Sequence, residues 1–348
     1  MITKYGDLTP RQAAHSVVGF LERVSQLTVL ERFGQQFPMP KNATQVARFR
    51  RYFLEGGSGS YSGTGGDYKH PTAKTPLVEG VTPAGKKLQF VDHEVQIKQY
   101  GDWVSFTDVI VDTHEDYPAL LSEMVDSLGE EAAQTLESLR YDVLKAGTNV
   151  FFPGTATARG QVDTPVSLTM QRRITRSLKR QNGRPVTNVL SSGAAFNTQP
   201  IEAAYVGLCH PDVENDIRRM DGFISTKHYA GTQPMEGEIG SVDDVRYIRS
   251  TVFEPYPDAG AATSSMMTTG GTNADVYPIL YLARDAYGLV PLRTNAGSAS
   301  AANVAVVNPT HSVSDPLAQR GIASWKAWHA TVILQDAFLI RAEVAATE

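Results

Sequence analysis

The sequence predicts an α+β fold in which helices and strands interleave irregularly, and three stretches carry that reading. Residues 75–116 read as a long two-stranded ribbon running back into a body strand. Thr82-Pro83-Ala84-Gly85 places Pro and Gly where a type I turn favours them. After that turn Val91, His93, Val95 and Ile97 alternate with Asp92, Glu94, Gln96 and Lys98, the two-residue period of a half-buried strand. Residues 118–146 carry a single apolar stripe at helical spacing. Beyond Gly183 short strand-like runs alternate with loops. An isolated two-stranded ribbon is marginal in water, so the first stretch must lie on something, and a neighbouring copy of the same chain is the obvious candidate.

Taken in order, residues 10–33 read as a helix. Val17, Val18, Leu21, Val24, Leu27 and Leu30 recur at three- and four-residue intervals behind Thr9-Pro10, and Pro38 and Pro40 end the element. Residues 41–55 mix Lys41, Arg48, Arg50 and Arg51 with Phe49, Tyr52 and Phe53. The leading reading is an extended arm that packs its aromatics on the body; the alternative is a basic arm lying on a partner subunit or on DNA. Residues 56–66, GGSGSYSGTGG, form a flexible linker by composition and lack both phosphate-loop spacings. In 100–112, Val104, Phe106 and Ile110 alternate with polar residues for part of the way.

The rod comes next. Leu121, Met124, Val125, Leu128, Ala132, Leu136, Leu139 and Val143 trace its stripe, Asp116 or Tyr117 caps its start and Gly147 stands at its end. Its length is on the order of 43 Å at about 1.5 Å per residue. A second helix, 167–181, sets Met170, Ile174 and Leu178 against Arg172, Arg173, Arg176, Lys179 and Arg180. Short strands follow at 188–190, 205–209 and 245–250, with loops at 259–271 and 295–303. Residues 325–344 read as a strand pair with Gln335-Asp336 between.

Composition narrows the function classes. A chain of 348 residues with 41% hydrophobic and 20% charged residues is that of a globular protein able to bury its own core. A net charge of -5 argues against a dedicated nucleic-acid binder but allows loose enclosure of DNA. The single cysteine, Cys209, permits no internal disulfide and points to a reducing compartment. No apolar run reaches the ~18 residues of a membrane span. The N-terminal residues show no secretion signal, so synthesis and use in a cytoplasm are expected.

Enzymatic constellations are missing: there is no GxSxG, HExxH, paired CxxC or P-loop, and no cofactor is implied. The densest titratable group, Asp108, Asp112, His114, Glu115 and Asp116, reads as acidic residues complementing a helix N-terminus, with hard-metal ligation as the alternative. Adjacent Cys209 and His210 point to opposite faces of a strand and do not suit a nucleophile–base pair. The arginines of 172–180 read as a solvated or interface-facing surface, with phosphate contact as the alternative.

Several long segments together resemble one family. TPLVEGVTPAGKKL (75–88), QYGDWVSFTDVIVDTHED (99–116), LGEEAAQTLESLRYDVLKAGTNVFF (128–152), HPDVENDIR (210–218), GEIGSVDDVRYIRST (237–251) and DPLAQRGIASWKAWHATVIL (315–334) are similar, in that order, to major capsid proteins of tailed bacteriophages, specifically the phage N-four-like group. The resemblance implies the Hong Kong ninety-seven-type capsid fold. Its parts would be an N-terminal arm at 1–55, an extended loop at 56–99, a peripheral domain at 100–183 with a spine helix at 117–146, an axial domain at 184–315, and a return to the peripheral domain at 316–348.

It also implies a structural, non-enzymatic role: self-assembly as pentamers and hexamers into an icosahedral shell around double-stranded DNA, in the virion, after assembly in the host bacterial cytoplasm. Partners would be other copies, a scaffold (as a separate protein), a portal and decoration proteins, with no membrane. Subunit contacts are expected at Glu79, Lys86 and Lys87 near the ribbon turn, at the apolar residues Val95 and Ile97, and at Arg48 and Arg51 of the arm. Some relatives join subunits by a Lys–Asn bond; Lys69, Lys74, Lys86 and Lys87 lie in the right region, and no crosslink is predicted. The rival readings are an encapsulin-like cellular compartment, an enzyme with a site among residues 108–116, and a nucleic-acid-binding module using residues 172–180.

Overall fold

A computed structural model describes residues 2–3, 28–40, 42, 44–54, 76–82, 88–114, 117–187, 203–229, 234–263, 265–292, 303–311 and 315–348. In chain order the elements are β1 (Ile2–Thr3), β2 (Gln35–Gln36), β3 (Val46–Leu54), β4 (Leu88–Gln96), β5 (Lys98–Thr107), α1 (Asp108–Thr113), α2 (Tyr117–Lys145), β6 (Val150–Phe151) and α3 (Leu168–Arg180). They continue as β7 (Tyr205–Cys209), α4 (Glu214–Arg218), β8 (Phe223–Ser225), β9 (Glu238–Val242), β10 (Val245–Arg249), β11 (Tyr277–Leu282), β12 (Tyr287–Leu289), β13 (Asn303–Val307), β14 (Arg320–His329), β15 (Thr331–Ile333) and β16 (Leu339–Val344). Most of the helix read at 10–33 lies outside the described residues, as do Pro83–Gly85 of the ribbon turn and the strand read at 188–190.

The ribbon is real, but its first strand is not the one expected. β4 pairs antiparallel with β3, in register from Val46 opposite Gln96 to Leu54 opposite Leu88. Residues 76–82 carry no strand; Val81 N–H donates to Val78 O across a turn in which Gly80 has a φ of 77°. The arm therefore supplies half of the ribbon. Loop closure costs grow only with the logarithm of loop length, so the intervening 55–87 is no obstacle to that pairing. A period-2 run announces a strand, not its partner.

β5 pairs along its whole length with β14 in a sheet of order β1-β5-β14-β13. One face of this sheet, with Val104, Ala323, Trp325 and Ala327, packs on Leu128, Ala132 and Leu136 of α2. The strand read through residue 112 stops at Thr107, where α1 begins with Asp108 Oδ1 accepting from Val109 N. α2 runs one residue earlier at each end than the reading from 118 to 146.

Its stripe is only partly the one expected. Leu128, Ala132 and Leu136 are buried, but further along the buried residues are Glu137, Arg140, Tyr141 and Leu144, while Leu139 and Val143 are half-buried. The buried arc shifts because the helix leaves the four-stranded sheet and passes under a second one.

That second sheet has seven strands in the order β6-β16-β11-β7-β10-β9-β8. Met170, Ile174 and Leu178 of α3 pack on one face with Tyr205, Tyr247, Tyr281 and Ile340. On the other face Val206, Leu208, Leu280 and Leu282 meet Tyr141 and Leu144 of α2 and the segment at Val29–Leu30. Buried Gln171 fixes α3 in place: its Nε2 donates to Val242 O at 2.6 Å and its Oε1 accepts from Tyr247 Oη at 2.9 Å. The closing strands do not pair with each other as expected. β14 joins the four-stranded sheet, β15 joins β12 and β2, and β16 lies between β6 and β11.

Candidate subunit-contact surfaces

The register of the ribbon sorts its residues onto two faces, because side chains alternate along a strand and directly opposite residues share a face. Ala47, Phe49, Arg51, Val91, His93 and Val95 turn toward the body. Ala47 is buried and Phe49 and Val95 are half-buried in a cluster with Met39, Ile97, Val290 and Trp328. Arg51 Nη1 donates to Gln335 Oε1 at 2.5 Å. Burial, with the nearby Arg51 charge, pushes the His93 imidazole below its ordinary range.

The other face carries Arg48, Arg50, Tyr52, Phe90, Asp92 and Glu94. Arg50 holds Asp92 with two hydrogen bonds of 2.7 and 2.8 Å, and Arg48 reaches Glu94 at 2.5 Å. The Arg50 bonds keep the Asp92 carboxyl below the usual carboxylate range. At the outer end of this face Tyr52 and Phe90 meet edge to face at 6.4 Å, with the Arg50 guanidinium 4.3 Å from the Phe90 ring. Both rings stay largely open to solvent, at 56% and 55% exposure, and Leu88 beside them is 62% exposed.

These geometries redistribute the residues singled out from the sequence. Ile97 is 4% exposed and sits in its own chain's core, and Val95 and Arg51 face inward with it. Arg48 faces outward, with its charge already paired across the ribbon. Glu79 is exposed in the 78–81 turn, and Lys86 and Lys87 lie outside the described residues. Sequence reading missed Tyr52, Phe90 and Leu88 as the outward apolar set. The signal was present: once β3 is given β4 as partner, Tyr52 must stand opposite Phe90.

A second uncovered apolar surface lies on the four-stranded sheet, on the side away from α2. Trp103 stands opposite Ser324, and Ile322 stands opposite Ser105 and Val307. Trp103, Ile322 and Val307 are 57%, 39% and 54% exposed. Trp103 and Ile322 border a shallow groove with Gly101 and Lys326. α2 covers only the opposite side, and an apolar patch left open on a sheet face marks an interaction surface.

The alternatives from the sequence are placed as follows. Asp108 opens the first turn of α1 and accepts from Val109 N, and among the described residues no three His, Cys, Asp or Glu side chains gather as a metal site. Cys209 is fully buried, with its thiol against Ile248 O at 3.7 Å and its ionisation pushed up by burial. His210 Nδ1 lies 3.1 Å from Asp212 and accepts from Asp212 N, so the two neighbours face different partners. The arginines of α3 are exposed, and Arg172, Arg176 and Arg180 line a groove with Asp243 and Asp244.

A long helix beneath a four-stranded sheet, a helix-flanked seven-stranded sheet and an arm-paired ribbon define the class of protein: a subunit with the Hong Kong ninety-seven-type capsid fold. The capsid of Ralstonia phage GP4 superposes with a TM-score of 0.65 over 100% of this chain and 98% of that one, at 15% identity. The capsid of cyanophage P-SCSP1u gives 0.58 over 96% and 93%, at 13% identity. In sequence, the major capsid protein of Pseudomonas phage KPP21 is 22% identical over 252 residues, 68% of this chain and 64% of that protein's length. The family described as phage capsid protein matches residues 91–342, and the chain belongs to that family.

Proposed function

We propose that the chain is the repeating subunit of an icosahedral shell around the double-stranded DNA of a tailed bacteriophage. Copies associate as pentamers and hexamers in the host cytoplasm, with scaffold, portal and decoration proteins as further partners. The observation that carries the reading is the pair of uncovered apolar surfaces: the outer end of the ribbon at Tyr52, Phe90 and Leu88, and the sheet face at Trp103, Ile322 and Val307. They are different in shape and lie on different elements. A contact between them is therefore heterologous, joining one copy to the next, and such contacts close into rings when the rotation permits. Many modest contacts then stabilise a closed shell although a single pair is weak.

Glu79 and Arg48 take a secondary place at the ribbon contact, because exposed ion pairs contribute only about 0–1 kcal/mol. The test is expression of the chain alone and with candidate scaffold proteins, followed by sedimentation and negative-stain electron microscopy. Closed particles or capsomer rings are expected; a monomer under every condition would refute the reading.

A further inference from the structure

We propose that the apolar turn at residues 76–82 of one copy seats in the open sheet-face groove of the next, with Glu79 against Lys326. The inference rests on the shell reading above and names what fills that groove. The turn carries three largely uncovered aliphatic side chains: Leu77 is 79% exposed, Val78 66% and Val81 62%. It is held in shape, because Val81 N–H donates to Val78 O at 3.1 Å across Gly80, whose φ of 77° suits glycine. A preformed turn loses little freedom on docking, so more of its apolar burial appears as affinity. Val81 precedes Leu88 by seven residues, at most about 25 Å of chain, so the turn continues the outer end of the ribbon.

The groove has the complementary character. Gly101 lies on the open side of β5 in the row of Trp103, and a Cβ there would come within 2.6 Å of Trp325 O. The position therefore stays bare and leaves a floor beside Trp103, Ile322 and Lys326. Opposite residues share a face, which puts Arg320 and Lys326 on the open side with Ile322 and turns Asp102 to the α2 side with Trp325. The charged residues on the open side of β5 and β14 are thus both cations. Glu79 is the one charge in the turn, and neither it nor Lys326 has an ion pair with another described residue. Tyr52 and Phe90 come with the Arg50 guanidinium, which would meet Arg320 and Lys326 as a like charge, so the groove suits the turn better than the rings.

The test places a benzophenone side chain on the turn, Val78→p-benzoylphenylalanine, in full-length protein assembled from isotopically heavy and light copies. Irradiated particles are digested and the crosslinked peptides identified by mass. Crosslinks from residue 78 to residues 99–103 or 322–326 of another copy are expected. Crosslinks only within one copy, or only to other segments, overturn the proposal. So does labelling of the groove from Tyr52→p-benzoylphenylalanine but not from residue 78.

A second measurement needs no crosslinker. Glu79→Lys and Lys326→Glu should each raise the concentration needed for assembly by up to about fivefold, and the double variant should restore it. Additive losses overturn the pairing. Particles that form without a groove crosslink leave the shell reading standing and sink this one. Copies that crosslink through the groove but never close into particles or rings uphold the contact and refute the shell reading, so the two failures are distinguishable.

Discussion

Replacing the two rings at the outer end of the ribbon, Tyr52→Ser with Phe90→Ser, separates assembly from folding. Each ring is little more than half exposed in the subunit. Full burial of a side chain of this size contributes about 1.5–3 kcal/mol, so the part still open to solvent is worth about 1 kcal/mol per ring and about 2 kcal/mol per contact. That corresponds to a roughly thirtyfold weaker contact. Within a hexamer the same loss recurs at every junction, on the order of 12 kcal/mol per ring.

The subunit itself loses the edge-to-face pair, a cost of about 0.5–1.5 kcal/mol. The assay is a concentration series followed by sedimentation, alongside denaturant unfolding of the unassembled protein. Particles forming at wild-type concentrations, with unfolding little changed, would refute the ribbon's role. Adding Trp103→Ser sharpens the test: if ribbon and sheet face meet each other, the triple variant is no worse than the more damaging of its parents, whereas additive losses mean that they contact different neighbours.

Glu137→Ala removes the acceptor that ties the segment at residue 30 to the middle of α2. Glu137 is fully buried, accepts from Val29 N and Leu30 N at 2.5 and 2.6 Å, and pairs with Arg140 at 3.3 Å. Breaking a buried ion pair costs about 3–5 kcal/mol, so the unfolding midpoint should fall and exchange of the Val29 and Leu30 amides should rise; unchanged exchange would refute the anchor. His329 is buried against Thr331 and the charge of Arg140, and burial first, then that charge, pushes its pKa down to about 3. The unfolded chain takes up the proton near pH 6.5 and the folded one does not, so this stability is complete above about 6.5 and lost as pH falls toward 3. Between pH 7 and 5 the wild type should lose about 2 kcal/mol more than His329→Gln in denaturant unfolding, and equal losses would refute the assignment.

Elements written in one continuous period were legible in the sequence, and partnerships were not. The 29-residue α2 and the strand β4 stand close to where their spacing put them, since a stripe or an alternation is a local property. The partner of β4 was missed because β3 lies on the far side of residues 55–87, and nothing in either strand names the other. The closing strands failed for the same reason: β14, β15 and β16 are consecutive but enter three sheets. Glu137 and Arg140 went unread because charged residues on a helix normally mark its wet side. Only the segment arriving at Val29 makes their burial sensible. In the fold Val95 and Ile97 lie in an apolar cluster of their own chain and Arg51 turns to Gln335, while Tyr52 and Phe90 face outward.

The charges of the ribbon bear on how assembly should respond to salt. Arg48 and Arg50 are matched within the subunit by Glu94 and Asp92, directly opposite them on β4. What the outer end offers a neighbour is chiefly the apolar surface of Tyr52, Phe90 and Leu88. Charges facing across an exposed contact are screened within about 8–10 Å at physiological salt, whereas apolar burial is not. Raising NaCl from about 0.1 to 1 M should therefore shift the concentration needed for assembly by less than roughly tenfold, and sulfate should lower it by strengthening apolar burial. Assembly that weakens a hundredfold in NaCl would mean that ion pairs between copies dominate, with Glu79 and Arg48 as the first candidates.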